Sequence, residues 1–150
     1  GADIQKALTA GLLHDCGKYC SVNDQIKLCG KYGIELTKSE LDMPALIHAK
    51  LGAYLAEHEY GIKDPEILNA VAYHTTGRPG MSMLEKIVYI ADYIEPNRRE
   101  IPGLGEIRGI VFQDIDRAVC LSAERTVSYL KDGGNAVDPM TVSTYEYYKK

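Results

Sequence analysis

The stretch Gly11-Leu12-Leu13-His14-Asp15-Cys16-Gly17-Lys18 stands where an apolar helical run stops. Ile4, Ala7, Leu8, Leu12 and Leu13 recur at helical spacing ahead of it and predict a helix over residues 2–16. A histidine and an aspartate then stand side by side. A neutral imidazole with a carboxylate is a partial ligand set for iron, manganese or zinc. Helix neighbours point about 100° apart, so both reach one ion only if it lies between their directions. Gly17 loosens the backbone after them, and Lys18 adds a mobile positive charge, a combination suited to a phosphate ester. A lone His-Asp pair at a helix end is more commonly a hydrogen-bonded cap, so the metal reading needs further ligands elsewhere in the chain.

The composition sets the frame for that search. With 150 residues, 45% of them apolar and 25% charged, the chain reads as one soluble domain over residues 1–150. The net charge of -4 argues against a dedicated nucleic-acid surface. No apolar run approaches the ~20 residues of a membrane span, and no signal-peptide pattern opens the chain, so a membrane partner is not expected. Cys16, Cys20, Cys29 and Cys120 form no C-x-x-C pair and read as reduced thiols, which points to the cytoplasm. Cys16 lies beside the His-Asp pair, and its role is open. The oligomeric state is open too, a homodimer included.

Local signals divide the rest into helices. Asp24 is expected to cap a short helix that closes at Tyr32-Gly33, and residues 34–44 read as a loop ending at Pro44. A helix follows from Ala45 to Glu59. Asp64-Pro65 pairs a capping carboxylate with a proline of the first turn and starts the helix that carries Ile67, Leu68, Val71 and His74. Ser82 and Glu85 form a capping box for a helix running to about Ile94. Residues 105–131 are helical with a break near Gln113-Asp114, and Asp138-Pro139 repeats the start signal before a Tyr-rich last helix. No strand alternation appears, so the expected fold is an all-α bundle.

Three more candidate ligands fall at helix-compatible places. His48 lies near the start of its helix between apolar neighbours, where a satisfied core histidine is the commoner case. His74 ends its helix, where a simple C-cap is the alternative. Asp92 sits in Ile87-Val88-Tyr89-Ile90-Ala91-Asp92-Tyr93-Ile94, and a carboxylate in such company needs a cation: a metal, or Arg98 or Lys86. His58, within Glu57-His58-Glu59, reads as a solvated surface residue.

The ordered set His14-Asp15, His48, His74, Asp92 resembles the HD-domain phosphohydrolases. The runs Leu46-Ile47-His48-Ala49-Lys50-Leu51-Gly52-Ala53, Tyr73-His74-Thr75-Thr76-Gly77-Arg78 and Leu84 to Arg98 are similar to one bacterial branch, the symmetrical diadenosine tetraphosphate hydrolases. The resemblance implies an HD-domain helical bundle with a site of one or two iron ions, or manganese or another divalent metal. It makes His14, Asp15 and Asp92 direct ligands and gives His48 and His74 to substrate phosphates or a second metal. It places Thr75 and Arg98 on phosphate. Lys18, by its charge, is a candidate to neutralise the leaving diphosphate, with a solvated surface lysine as the even alternative. Pro139, Met140, Thr141, Val142, Ser143 and Thr144 resemble a late nucleotide-contacting segment. The implied reaction splits a dinucleoside tetraphosphate into two nucleoside diphosphates. The alternatives are another nucleotide substrate or a module that binds nucleotide without turnover. The family also has a histidine ligand on an earlier helix; no histidine precedes His14 here, so that N-terminal helix is expected to be absent from this chain.

Overall fold

Helices and turns build every described element of the chain; the computed structural model describes residues 1–99 and 101–150. The Asp3 carboxylate accepts from the Gln5 and Lys6 amides and starts α1, Ile4–Leu13. That helix is shorter than the expected 2–16. After Leu13 the chain turns through His14 and Asp15 into a 3-10 turn, Cys16–Lys18. Helix α2, Val22–Tyr32, is capped by Ser21 rather than Asp24. The Ser21 hydroxyl oxygen accepts from the Asp24 amide, which places Asp24 inside the first turn, where its charge meets the positive end of the helix. Gly33, at φ +70°, supplies the left-handed residue that closes α2.

The expected loop over 34–44 contains a helix, α3, Lys38–Asp42, and a 3-10 turn, Pro44–Leu46, follows it. Five residues cannot show an apolar period. What holds them is a reciprocal capping box: Thr37 accepts from the Glu40 amide, and Glu40 accepts from the Thr37 amide. Helix α4 covers Ile47–His58, and α5, Pro65–Ala72, starts at the Asp64 cap with Pro65 in its first position. Helix α6, Met83–Tyr93, opens with the Ser82–Glu85 box. The long run beyond it splits into α7, Leu104–Ile110, and α8, Ile115–Asp132, with Asp114 capping the second piece. Asp138 caps α9, Pro139–Tyr148.

Helix α6 is central because both of its faces are apolar. Leu84 and Val88 pack with Ala10 of α1 and Ile67 and Ala70 of α5. Tyr89 and Ile90 pack with Ile107 of α7 and Val119 and Leu121 of α8. Each such fully buried aliphatic side chain stabilises the fold by about 1.5–3 kcal/mol relative to exposure. A separate cluster of Cys29, Ile47, Leu51 and Leu55 joins α2 to α4. The Cys16–Lys18 turn lies against α4 so closely that a Cβ on Gly17 would sit 2.2 Å from the His48 carbonyl oxygen and 2.9 Å from the Gly52 nitrogen. Glycine at 17 therefore permits the backbone approach that brings Asp15 to His48.

Candidate metal centre

The end of α1, the first turn of α4, the residues after α5 and the last turn of α6 meet at one place. Each delivers a donor. His14 Nδ1 lies 2.6 Å from the Gly11 carbonyl oxygen, His48 Nδ1 2.7 Å from that of Ala45, and His74 Nδ1 2.7 Å from that of Val71. A carbonyl only accepts, so each Nδ1 carries a proton, and in its neutral form each ring presents Nε2 as a bare lone pair. This is the tautomer that ligation through Nε2 requires, fixed in all three rings by a carbonyl three residues earlier.

The Nε2 atoms converge on Asp15. Asp15 Oδ1 lies 3.2 Å from His48 Nε2 and 3.4 Å from His74 Nε2, and Asp15 Oδ2 lies 3.6 Å from His14 Nε2. Asp92 Oδ1 is 3.6 Å from His14 Nε2 on its other side. His14, Asp15 and His74 each offer a ligand atom within 4.8 Å of the others, so His74 shares the site with the His-Asp pair. Lys18 Nζ stands 2.9 Å from both Asp15 oxygens and donates to Oδ2. Asp15 Oδ1, which Lys18 meets as an ion pair only, is buried and accepts no hydrogen bond among the described residues.

These positions suit a cation. The His48 and His74 Nε2 atoms lie 3.1 Å apart, and both rings are almost fully buried. Two neutral rings with protonated Nδ1 atoms would point lone pairs at one another, and burial together with the neighbouring His74 pushes His48 down to a pKa of about 4. Without an ion, a proton on the facing Nε2 atoms draws these carboxyls down: contact with His74 and then with Lys18 holds Asp15 well below the usual carboxylate range, and contact with His14 lowers Asp92. Asp92 in turn raises His14. A divalent ion would satisfy the facing lone pairs and the orphaned Asp15 oxygen together. The donors fit such an ion.

Asp92 lies where its carboxylate meets His14, and of its two alternative cations only Arg98 is near. Arg98 Nη2 is 3.8 Å from Asp92 Oδ2 and donates to the Asp92 carbonyl at 2.9 Å, whereas Lys86 pairs with Asp116. A cleft of about 550 Å³ opens beside the centre. Its polar end is His14, Asp15, Lys18, Asp92, Glu95 and Arg98, and its apolar wall comes from α1 and α6. Sequence reasoning missed Glu95; its spacing of three from Asp92 on a helical path was the available signal. Cys16 is turned onto α4, with Sγ donating to the Gly52 carbonyl at 3.3 Å. His58 is exposed and stacks on Tyr54.

The remaining candidates are not at the cleft. Thr75 and Met140 line a second, smaller hollow of about 150 Å³ with Thr37, Lys50 and Asp138. Thr141 and Thr144 are buried, and the Thr144 hydroxyl bonds to the Thr76 and Met140 carbonyls, so both act within the fold. Ser143 returns its hydroxyl to the Pro139 carbonyl. Val142 is half-buried on α9.

The HD-domain family profile matches residues 1–97, which include all five of the converging donors. The chain is 40% identical to a symmetrical bis(5'-nucleosyl)-tetraphosphatase of Bacillus subtilis, over 98% of this chain and 78% of that protein. It is 38% identical to the enzyme of the same name from Staphylococcus aureus, over 97% and 75%. The chain belongs to the HD-domain family, on the branch of the symmetrical bis(5'-nucleosyl)-tetraphosphatases. A solved structure from Clostridium acetobutylicum, of a predicted HD superfamily hydrolase involved in NAD metabolism, superposes with a TM-score of 0.92 at 40% identity, covering 98% of this chain and 77% of that one. The all-α HD fold expected from the sequence is thus the fold observed.

Proposed function

We propose that this HD protein is a metal-dependent phosphohydrolase that cleaves symmetrical dinucleoside tetraphosphates, diadenosine tetraphosphate among them, into two nucleoside diphosphates. The observation that carries the reading is the convergence of three Nδ1-protonated imidazoles and two low-pKa carboxylates beside a cleft with Lys18 and Arg98, in a chain 40% identical to an enzyme of that name. His14, Asp15 and Asp92 would hold the ion, which we take to be iron, and His48 and His74 would face the phosphates or a second ion. Bound there, a divalent metal supplies a water of lowered pKa and a Lewis acid for the phosphoryl oxygen.

The protein's own groups do the rest. Asp15 and Asp92, ionised through the neutral range, keep the centre anionic enough to retain a divalent cation. Arg98 offers planar, paired donors to phosphate oxygens; its Nε is buried with no hydrogen-bond partner among the described residues. Lys18, half-exposed beside Asp15, would exchange an Asp15 oxygen for a phosphate oxygen and offset charge on the departing diphosphate. Thr75 and, from the segment 139–144, Met140 line the second hollow, where a more distant part of a nucleotide would rest. The chemistry balances simply: the central P–O–P bond breaks, water supplies an oxygen to one phosphorus, and its protons pass to solvent and the leaving diphosphate. The four unpaired cysteines agree with a cytoplasmic protein.

The test is chromatography of the products of diadenosine tetraphosphate incubated with iron-loaded protein. Adenosine diphosphate alone is expected. Monophosphate with triphosphate would assign the chain an asymmetric cleavage and overturn the reading.

A further inference from the structure

Arg108 lies on α7, away from the cleft, yet its guanidinium reaches back to the end of α6. Nε donates to the Ile94 carbonyl at 3.2 Å and Nη2 to the Glu95 carbonyl at 2.9 Å. A helix end leaves such carbonyls without intrahelical donors. The fixed fork of a guanidinium spans two adjacent ones, which the point charge of an ammonium does not do. The Glu95 carbonyl also accepts from the Arg98 amide at 3.1 Å, and the Glu95 carboxylate accepts from the Asn97 amide at 3.2 Å. Residues 95–98 therefore make a turn whose first carbonyl is shared between Arg108 and the backbone of Arg98.

Past the turn, the Arg98 side chain folds back onto α6. Nη2 reaches the Asp92 carbonyl, and the guanidinium carbon stands 5.5 Å from the Tyr93 ring centre. Arg98 is thus held at two points, by its side chain at Asp92 and by its backbone at Glu95, and Arg108 fastens the second. Arg125 provides an internal comparison. It too clamps the segment between α6 and α7, donating to the Pro102 carbonyl at 2.8 Å and to the Glu106 carboxylate, but it bonds to nothing in the turn that carries Arg98.

We infer that Arg108 is a positioning residue for Arg98: by holding the Ile94 and Glu95 carbonyls it fixes the turn that aims the Arg98 guanidinium into the cleft. This rests on the reading of Arg98 as a phosphate-binding group. Arg108→Ala, Arg98→Ala, the double variant and Arg125→Ala are compared for hydrolysis of diadenosine tetraphosphate and for amide hydrogen exchange at Asn97 and Arg98. Arg108→Ala should lower kcat/KM about tenfold, the scale for loosening a charge-assisted hydrogen bond, mainly through KM. In the Arg98→Ala background the same change should have no further effect. Exchange at Asn97 and Arg98 should quicken in Arg108→Ala and stay native in Arg125→Ala, whose kinetics should also stay native. Arg108→Lys should recover only part of the loss. Equal losses in both backgrounds, or native exchange in the turn of Arg108→Ala, would overturn the inference. Native kinetics in Arg98→Ala would overturn the phosphate role of Arg98 and the inference with it, and native diphosphate production in every other variant would show that the proposed activity stands.

Discussion

Which nitrogen carries a proton decides what the centre can hold. The Gly11, Ala45 and Val71 carbonyls claim the Nδ1 proton of His14, His48 and His74, and that leaves every Nε2 free for a cation. The same burial makes the centre sensitive to acid. His48 titrates near pH 4 in the folded protein and near 6.5 when unfolded. Between those values the unfolded chain binds a proton that the folded chain refuses, so stability falls as pH drops through the window. Asp15 and Asp92, both lowered, add stability that persists above the ordinary carboxylate range and is lost only below it. His14, raised by Asp92, has the opposite sign: its contribution is present below its unfolded value and lost as pH rises through its folded one. In chelator-treated protein, His48→Gln should flatten the loss of stability between pH 6.5 and 4 by up to ~3 kcal/mol. Urea unfolding at several pH values reads this slope, and a slope equal to that of the unaltered protein would contradict the assignment of the acid limb to His48.

Elements bring the donors together, and the tightest junction is the Cys16–Lys18 turn on α4. A methyl at position 17 would overlap the His48 carbonyl and crowd the Gly52 nitrogen, both of them backbone atoms that cannot swing aside. Gly17→Ala should therefore cost about 1–3 kcal/mol, the range for overpacking, and weaken metal binding by parting Asp15 from His48. Gly30→Ala is the control: it lies within α2 with nothing within 4 Å of a new Cβ, and it should be neutral or stabilising by about 0.5–1 kcal/mol. Equal midpoints for the two variants in urea would show that the junction is slack. How far elements are legible in sequence follows the same division between local and distant contacts. Asp64-Pro65, Ser82–Glu85 and Asp138-Pro139 announce their helices because a cap is a bond between a side chain and amides two or three residues away. Thr37 and Glu40 carry the same signal, but the five-residue helix behind them has no periodicity to support it. The ligand types at His14, Asp15, His48, His74 and Asp92 were readable. The meeting of the three histidines at Asp15 was not, because it depends on Gly17 fitting against α4. The burial of Thr141 and Thr144, and the reach of Arg108 across to α6, are likewise settled by tertiary packing.

Across the whole molecule the centre is also a clamp. His14 and Asp15 follow α1, His48 opens α4, His74 follows α5 and Asp92 belongs to the last turn of α6. Apolar packing holds α1, α5 and α6 to one another, while α4 shares a different apolar cluster with α2. An ion bound by these donors would tie both clusters together, and it has no comparable site in the unfolded chain. Binding to the folded state alone stabilises by about 2.7 kcal/mol at a free ligand concentration of 100 Kd. For a chain of this size that corresponds to a rise in Tm of about 5–10 °C. Differential scanning calorimetry of protein stripped with chelator and then reloaded with ferrous iron or manganese should show this rise. Asp92→Ala should abolish most of it, because the ion loses a charged ligand and His14 loses its partner. His58→Ala should keep it in full, since that ring is exposed and stacked on Tyr54. Metal analysis of the same samples should find the ion in the unaltered protein and in His58→Ala, and little in Asp92→Ala. A Tm that does not respond to metal, or that responds equally in both variants, would mean that the facing Nε2 atoms of His48 and His74 are reconciled by a proton, and that the ring of donors is a structural core without an ion.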